Sequence, residues 1–251
     1  MGGALGLVAI LIHAFTDYNM YVPANALVAV TLLALVSGHF RYTTERYWLT
    51  LQQPLRIGVS TVLLATIACL GFETIKGSRE QIWLTRAREH PYYSAEQIAA
   101  LEKAFAIEPK NPETAYLIGE GYRMKSWQGG QDYKAAAETA MIWFKRAMVL
   151  NPYDPYSQLR YGMCLHWIDN HKAAGPYFSK ALQLDPNGFY TRAHVGWHYF
   201  QLGEWALSKE WFERSLQMNW YDNPIARSYL DILKNKPLAR PSDSGTAHGG
   251  A

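Results

Sequence analysis

The residues whose types and spacing could do chemistry are four histidines in the second half of the chain, His166, His171, His194 and His198, and a His13–Asp17 pair near its start. His194 and His198 stand four apart, so on a helix they share a face and could offer two imidazoles to a metal. A zinc site needs further protein ligands, and no carboxylate falls at a spacing that would complete this one. The sequence contains no glycine-rich phosphate loop, no nucleophile elbow and no pair of carboxylates placed for acid–base work. Cys69 sits in an apolar run and Cys164 in a polar half, so the two are expected neither to pair nor to hold zinc. No catalytic, cofactor or metal site is legible. Binding, rather than chemistry, is the expectation.

Charge narrows the partner. Residues 1–75 hold three basic residues (Arg41, Arg46, Arg56) and three acidic ones (Asp17, Glu45, Glu73), so the net +3 of the whole chain belongs to residues 76–251. That surplus is small and its charges are interspersed, which argues against a nucleic-acid surface.

The elements that must position these residues follow from a repeat. Pro109, Pro152 and Pro186 close the segments Ala-Phe-Ala-Ile-Glu-Pro, Ala-Met-Val-Leu-Asn-Pro and Ala-Leu-Gln-Leu-Asp-Pro, and a degenerate copy ends at Trp220. The last two intervals are 34 residues and the first is 43. Gly119, Gly162 and Gly196 recur in step, as do Tyr122, Leu165 and Tyr199. So do Ala140, Ala174 and Ser208; Phe144, Phe178 and Phe212; and Ala147, Ala181 and Ser215. This spacing resembles the tetratricopeptide (TPR) repeat, a helix–turn–helix unit that stacks into a solenoid. The resemblance implies an all-α array: a half repeat at 94–107, three full repeats and a capping helix at 224–233. The nine extra residues fall within 124–133, where Gly129-Gly130 marks a turn.

In TPR proteins the first helix of each pair lines a concave groove. Carried onto this sequence, the resemblance places Tyr116, Leu117, Glu120 and Arg123 there, then Tyr156, Arg160, Met163, His166 and Trp167, then Tyr190, His194, Trp197 and Phe200. Such a face could hold a peptide or stack on sugar rings, so the expected partner is a protein or a glycan. Two readings of each aromatic stay open, groove contact and packing between repeats. Arg123 and Arg160 belong to the groove, because burying them unpaired is costly. The lysine and asparagine of chaperone-binding TPRs are replaced at the first two clamp positions by Tyr116 and Glu120, which argues against that role.

The first third is apolar. Stretches at 2–15, 22–38 and 57–72 lack Lys, Arg, Asp and Glu, follow one another closely and show no polar face. Aromatic and arginine residues at their ends suit interfacial anchors. About three transmembrane helices are therefore expected in 1–75, then a helical linker at 76–93, the array at 94–235 and a disordered tail at 236–251. A cleaved signal peptide is disfavoured, since no basic residue precedes the first stretch and Asp17 stands where small residues are needed. The segment 39–56 carries all three arginines, which places it in the cytoplasm and the array outside, periplasmic on a bacterial inner membrane.

Within this third, His13-Ala-Phe-Thr-Asp17-Tyr-Asn19-Met-Tyr-Val-Pro23-Ala-Asn25 resembles a segment late in the O-antigen ligase and polymerase family of membrane proteins, some of which append TPR repeats. The resemblance covers about residues 1–38. It implies a place in surface-polysaccharide assembly, but the family's catalytic His loop and periplasmic arginines lie upstream of the matched segment and have no counterpart here, so no catalytic role transfers. His13 and Asp17 share a helix face, either lining a polar cavity or orienting a helix end at headgroup level. Three functions stay open: a non-catalytic scaffold of that family, a membrane-tethered TPR adaptor without a polysaccharide role, and one subunit of a split glycan transferase.

Overall fold

The computed structural model describes residue 6 and residues 23–43 and 52–236, and every regular element among them is an α-helix. In chain order these are α1 (Pro23–Thr43), α2 (Gln53–Glu89), α3 (Ala95–Ile107), α4 (Pro112–Trp127), α5 (Tyr133–Leu150), α6 (Pro155–Trp167), α7 (His171–Leu184), α8 (Phe189–Gln201), α9 (Trp205–Met218) and α10 (Pro224–Leu233). The chain divides into two compact units, Met1–Ala68 and Cys69–Ala251.

In the first unit, α1 covers most of the second apolar stretch and holds a shorter apolar segment, Val28–His39. Along it Val28, Val30, Leu33 and Leu35 are exposed and Ala29 is buried. The first apolar stretch, with His13 and Asp17, lies outside the described residues apart from Gly6. The third lies within α2. Among the described residues α2 is the helix long and apolar enough to cross a membrane, and none of its apolar window is buried. The Thr61 and Thr66 hydroxyls donate to the carbonyls of Ile57 and Val62, each at 2.9 Å, so these polar groups are satisfied within the helix.

The second unit begins with the end of α2. Lys76, Glu80, Trp83, Leu84 and Ala87 fall on one helical face, and that face meets α3 and the turn after it. Lys76 pairs with Glu108 at 2.7 Å, and Glu80 accepts from Asn111 at 2.7 Å. Trp83 lies between Arg86 and Lys103, and Ala87, with Leu84, packs on Ile98 and Leu101. The last turns of α2 thus supply a partner for α3, where the sequence offers only a half repeat.

Pairs α4/α5, α6/α7 and α8/α9 follow, and α10 covers the last of them. Sequence sets the turns between pairs. Asn111, Asp154 and Asn223 each precede a proline and cap the next helix, their side chains accepting backbone N–H groups, as at Tyr156 and Ser157 for Asp154. Within each pair a glycine lets the helices close on a buried phenylalanine. A Cβ at Gly119 would stand 2.7 Å from Phe144, one at Gly162 2.7 Å from Phe178 and one at Gly196 2.9 Å from Phe212. These rings are fully buried, and each at 25 cal/mol per Å² contributes about 3 kcal/mol relative to exposure. Consecutive hydrophobic clusters share residues such as Tyr116, Tyr161 and Trp167, so the core runs continuously along the stack.

Candidate ligand groove

The first helices of the pairs, α4, α6 and α8, bring charged and aromatic side chains together across repeats. Glu120 is buried and accepts two hydrogen bonds from Arg123, Nε to Oε1 at 2.8 Å and Nη2 to Oε2 at 2.9 Å. The i, i+3 spacing on one helix makes this fork geometrically easy. Arg160, from the next pair, sets its Nε 2.9 Å from the same Oε1, but that N–H is not aimed at the oxygen and is left without a hydrogen bond. One carboxylate therefore faces two guanidinium groups.

The other end of Arg160 reaches the following pair. Its Nη2 donates to the Tyr190 hydroxyl at 2.5 Å, and Nη1 lies 3.2 Å from His194 Nε2. Arg160 and His194 are one 34-residue period apart, so they occupy equivalent positions in neighbouring repeats, and stacking the repeats brings them into contact. His194 Nδ1 lies 2.9 Å from the Tyr190 carbonyl oxygen. A carbonyl only accepts, so Nδ1 carries the proton and Nε2 accepts from Arg160. Burial, with the Arg160 charge beside it, pulls the His194 pKa down to about 3. Burial alone would lower the Arg160 pKa, but Glu120, Tyr116 and Tyr190 outweigh it and hold the guanidinium protonated above its ordinary value. Burial and the Glu120 charge push Tyr116 up to about 12, so its phenol stays neutral and able to donate.

This network forms part of the wall of an open pocket of about 410 Å³ between the end of α2, α3 and α4. Tyr92, Tyr93, Gln97 and Arg88 line it together with Tyr116, Leu117, Glu120 and Arg160. Tyr93 sits in the left-handed region at φ 67°, held there as its N–H donates to Gln97 Oε1 at 2.6 Å. A second hollow of about 320 Å³ shares Tyr116 and Glu113 with the first and extends to Tyr156. Tyr156 meets Tyr190 edge to face at 5.7 Å. The whole offers aromatic edges, a phenol and a paired carboxylate–guanidinium set, which suits an extended segment with mixed polarity.

The remaining candidates separate from this network. His166 is buried and bridges two other imidazoles, its Nδ1 2.7 Å from His171 Nδ1 and its Nε2 2.7 Å from His198 Nδ1. Trp197 is buried in the core, edge-on to His166 at 5.2 Å, and Trp167 lies 6.2 Å from Trp197. Phe200 packs on Trp205 and Tyr229, while Met163 stays with the first network through a weak contact from Arg160. Two nitrogens on one tetrahedral zinc at about 2.05 Å would stand near 3.3 Å apart and converge on one point. The bridging His166 instead uses both ring nitrogens at hydrogen-bond distance, and the described residues bring no three or more His, Cys, Asp or Glu side chains together as a metal site. Burial, then His198 and His171, lowers the His166 pKa to about 3, and burial, then His171, lowers that of His198 to about 4.

Sequence reasoning missed Arg88, Tyr92, Tyr93 and Gln97, which fall in or beside the expected linker. The signal available was the helical composition of 78–90, whose last turns wall the pocket. The grouping of the histidines was also not legible, because His194 and His198 share one helix yet serve different networks.

No protein-family model matches the chain, and no curated protein does. Among solved structures, the fold is similar to that of a thermophilic TPR protein of Thermus thermophilus. Its TM-score is 0.55 at 19% identity, over 73% of this chain and 98% of that one. It is also similar to pilF of Pseudomonas aeruginosa, with a TM-score of 0.50 at 18% identity, over 65% of this chain and 69% of that one. The array has a TPR solenoid fold. Its three glycine–phenylalanine contacts and its proline-headed helices are how this particular TPR array closes its pairs.

Proposed function

We propose that the chain is a membrane-tethered TPR scaffold that holds an extended partner segment along Tyr116, Arg160, Tyr156 and Tyr190. The observation that carries the groove is the Glu120–Arg123–Arg160–Tyr190–His194 network, a preorganised polar wall beside open aromatic hollows. A photo-crosslinking residue at Leu117 or Tyr156, in the full chain in its own membranes, is expected to form a discrete adduct. One at Lys180 on α7 is not. Mass spectrometry of the adduct separates a protein partner from a glycan, and no adduct at either groove position sinks the reading.

Two features support the tether. The apolar part of α2 is exposed on every side, and its Thr61 and Thr66 hydroxyls bond within the helix, as a lipid-facing helix requires. The arginines at 41, 46 and 56 favour their segment in the cytoplasm and the array outside. Alkaline carbonate should leave the chain in the membrane pellet, whereas release to the supernatant would overturn the tether. A reporter fused after Ala251 should be active only outside the cytoplasm.

The finer reading, a non-catalytic part in surface-polysaccharide assembly, rests on the motif from His13 to Asn25. Deleting the gene should change the surface-polysaccharide profile, and an unchanged profile would leave the tethered adaptor alone.

A further inference from the structure

The solenoid has two edges, one formed by the turns inside helix pairs and the other by the turns between pairs. We propose that the edge formed by the turns between pairs lies against the surface of the lipid bilayer that holds α2, with Tyr153, Trp220 and Tyr221 in its headgroup layer. This inference rests on the membrane tether proposed above.

The direction of α2 carries it. Lys76 and Glu80 are tied to Glu108 and Asn111, which belong to the turn between α3 and α4, a turn between pairs. Glu89 lies at the other end of the same run of helix, beside the turn into α3. These two ends are separated by 13 residues, about 20 Å at 1.5 Å per residue. Going back along α2 from Lys76, the helix leaves the array on the side of the turns between pairs. The next residues it shows there are Ile75, Phe72 and Leu70, all exposed. A bilayer that takes up the exposed apolar residues Leu70, Phe72 and Ile75 therefore meets that edge first, and the opposite edge stands about a membrane leaflet's thickness further away.

The side chains at that edge suit the position. Tyr153, in the turn between α5 and α6, is 80% exposed, and Trp220 and Tyr221, in the turn between α9 and α10, are 70% and 79% exposed. Amphipathic rings of this kind settle at the level of lipid headgroups. Val149, at the end of α5 beside Tyr153, is also exposed. Exposed aromatics occur on the opposite edge too, at Tyr92 and Trp127, so exposure alone does not choose between the edges. The path of α2 does. The Arg227 guanidinium, bonded to the Trp220 carbonyl, adds a cation beside the Trp220–Tyr221 pair for lipid phosphate.

The test uses the full chain in liposomes containing phosphatidylglycerol and phosphatidylcholine. Cys69 is exposed and is changed to Ser, while Cys164 is buried and stays unlabelled. Single cysteines at Tyr153→Cys and Tyr221→Cys, with Asp169→Cys and Glu204→Cys on the opposite edge, carry a fluorophore read against headgroup-nitroxide lipid. Val62→Cys on α2 is read against acyl-chain-brominated lipid. The expected result is strong quenching at 62 and at least twofold greater quenching at 153 and 221 than at 169 and 204. Quenching at 62 with equal or reversed quenching of the two edges overturns the inference and leaves the tether standing. No quenching at 62 overturns the tether and the inference with it.

Discussion

Two clusters of polar side chains lie side by side in the array, and they solve the same problem differently. Around Glu120 the cluster is built on charge, and one carboxylate with two guanidinium groups and a phenol holds neighbouring pairs together, with a neutral His194 at its far end. Around His166 they are imidazoles linked in a chain, and burial keeps His166 and His198 neutral against apolar rings, with Phe178 stacked on His198 at 4.5 Å. The charged cluster borders an open pocket and the neutral one borders the core. Where a side chain borders an open pocket, charge held by a partner is tolerable. Where it must meet Phe178 and Trp197, desolvation removes the charge.

The largest test of this contrast removes the shared carboxylate. Glu120→Ala leaves two arginines with side-chain exposures of 11% and 12% and no carboxylate between them, which should cost about 3–5 kcal/mol of stability. Chemical denaturation would show this, and a loss below about 1 kcal/mol would mean that solvent already screens the pair. Filling the close approach beside the histidine chain comes next. Gly162→Ala forces a Cβ onto the Phe178 ring and should cost about 1–3 kcal/mol, with the helical signal retained by circular dichroism before melting.

Acid should act mainly on the histidines. An imidazole with a folded-state pKa below its unfolded value of 6.5 binds fewer protons when folded. Its stabilisation is present above pH 6.5 and is lost as pH falls toward about 3–4. The slope is on the order of 1 kcal/mol per pH unit for each buried histidine. The thermal midpoint should drop between pH 6.5 and 4, and His166→Phe should flatten that drop. An unchanged slope would show that His166 is solvated in both states. The smallest effect belongs to Tyr156→Ala. This half-exposed ring should change stability by less than about 1 kcal/mol while weakening any groove crosslink at Leu117.

The repeat was legible because a 34-residue period leaves its mark on small and large residues alike. Gly162 and Phe178 sit 16 residues apart in the chain, as do Gly196 and Phe212. The first pair was harder to read, because its leading helix is the end of α2, where Thr85 and Arg88 stand in place of the glycine and the Tyr or Leu of the later repeats. The groove was legible as a set of positions but not as a network. Period alone places Arg160 and His194 as equivalents, but it does not say that one will donate to the other. Nor does it say that His198, one turn further along the same helix, will turn to His166. Those choices are made by rotamers and burial, which a spacing rule does not contain.

The glycine–phenylalanine contact has a consequence for how such a chain can grow. Gly119 with Phe144, Gly162 with Phe178 and Gly196 with Phe212 each close a pair using residues from within that pair. A duplicated 34-residue segment would bring both halves of its closure with it, together with its own proline turn. Lengthening by copying would then require new fits only at the two junctions, where the copy meets its neighbours.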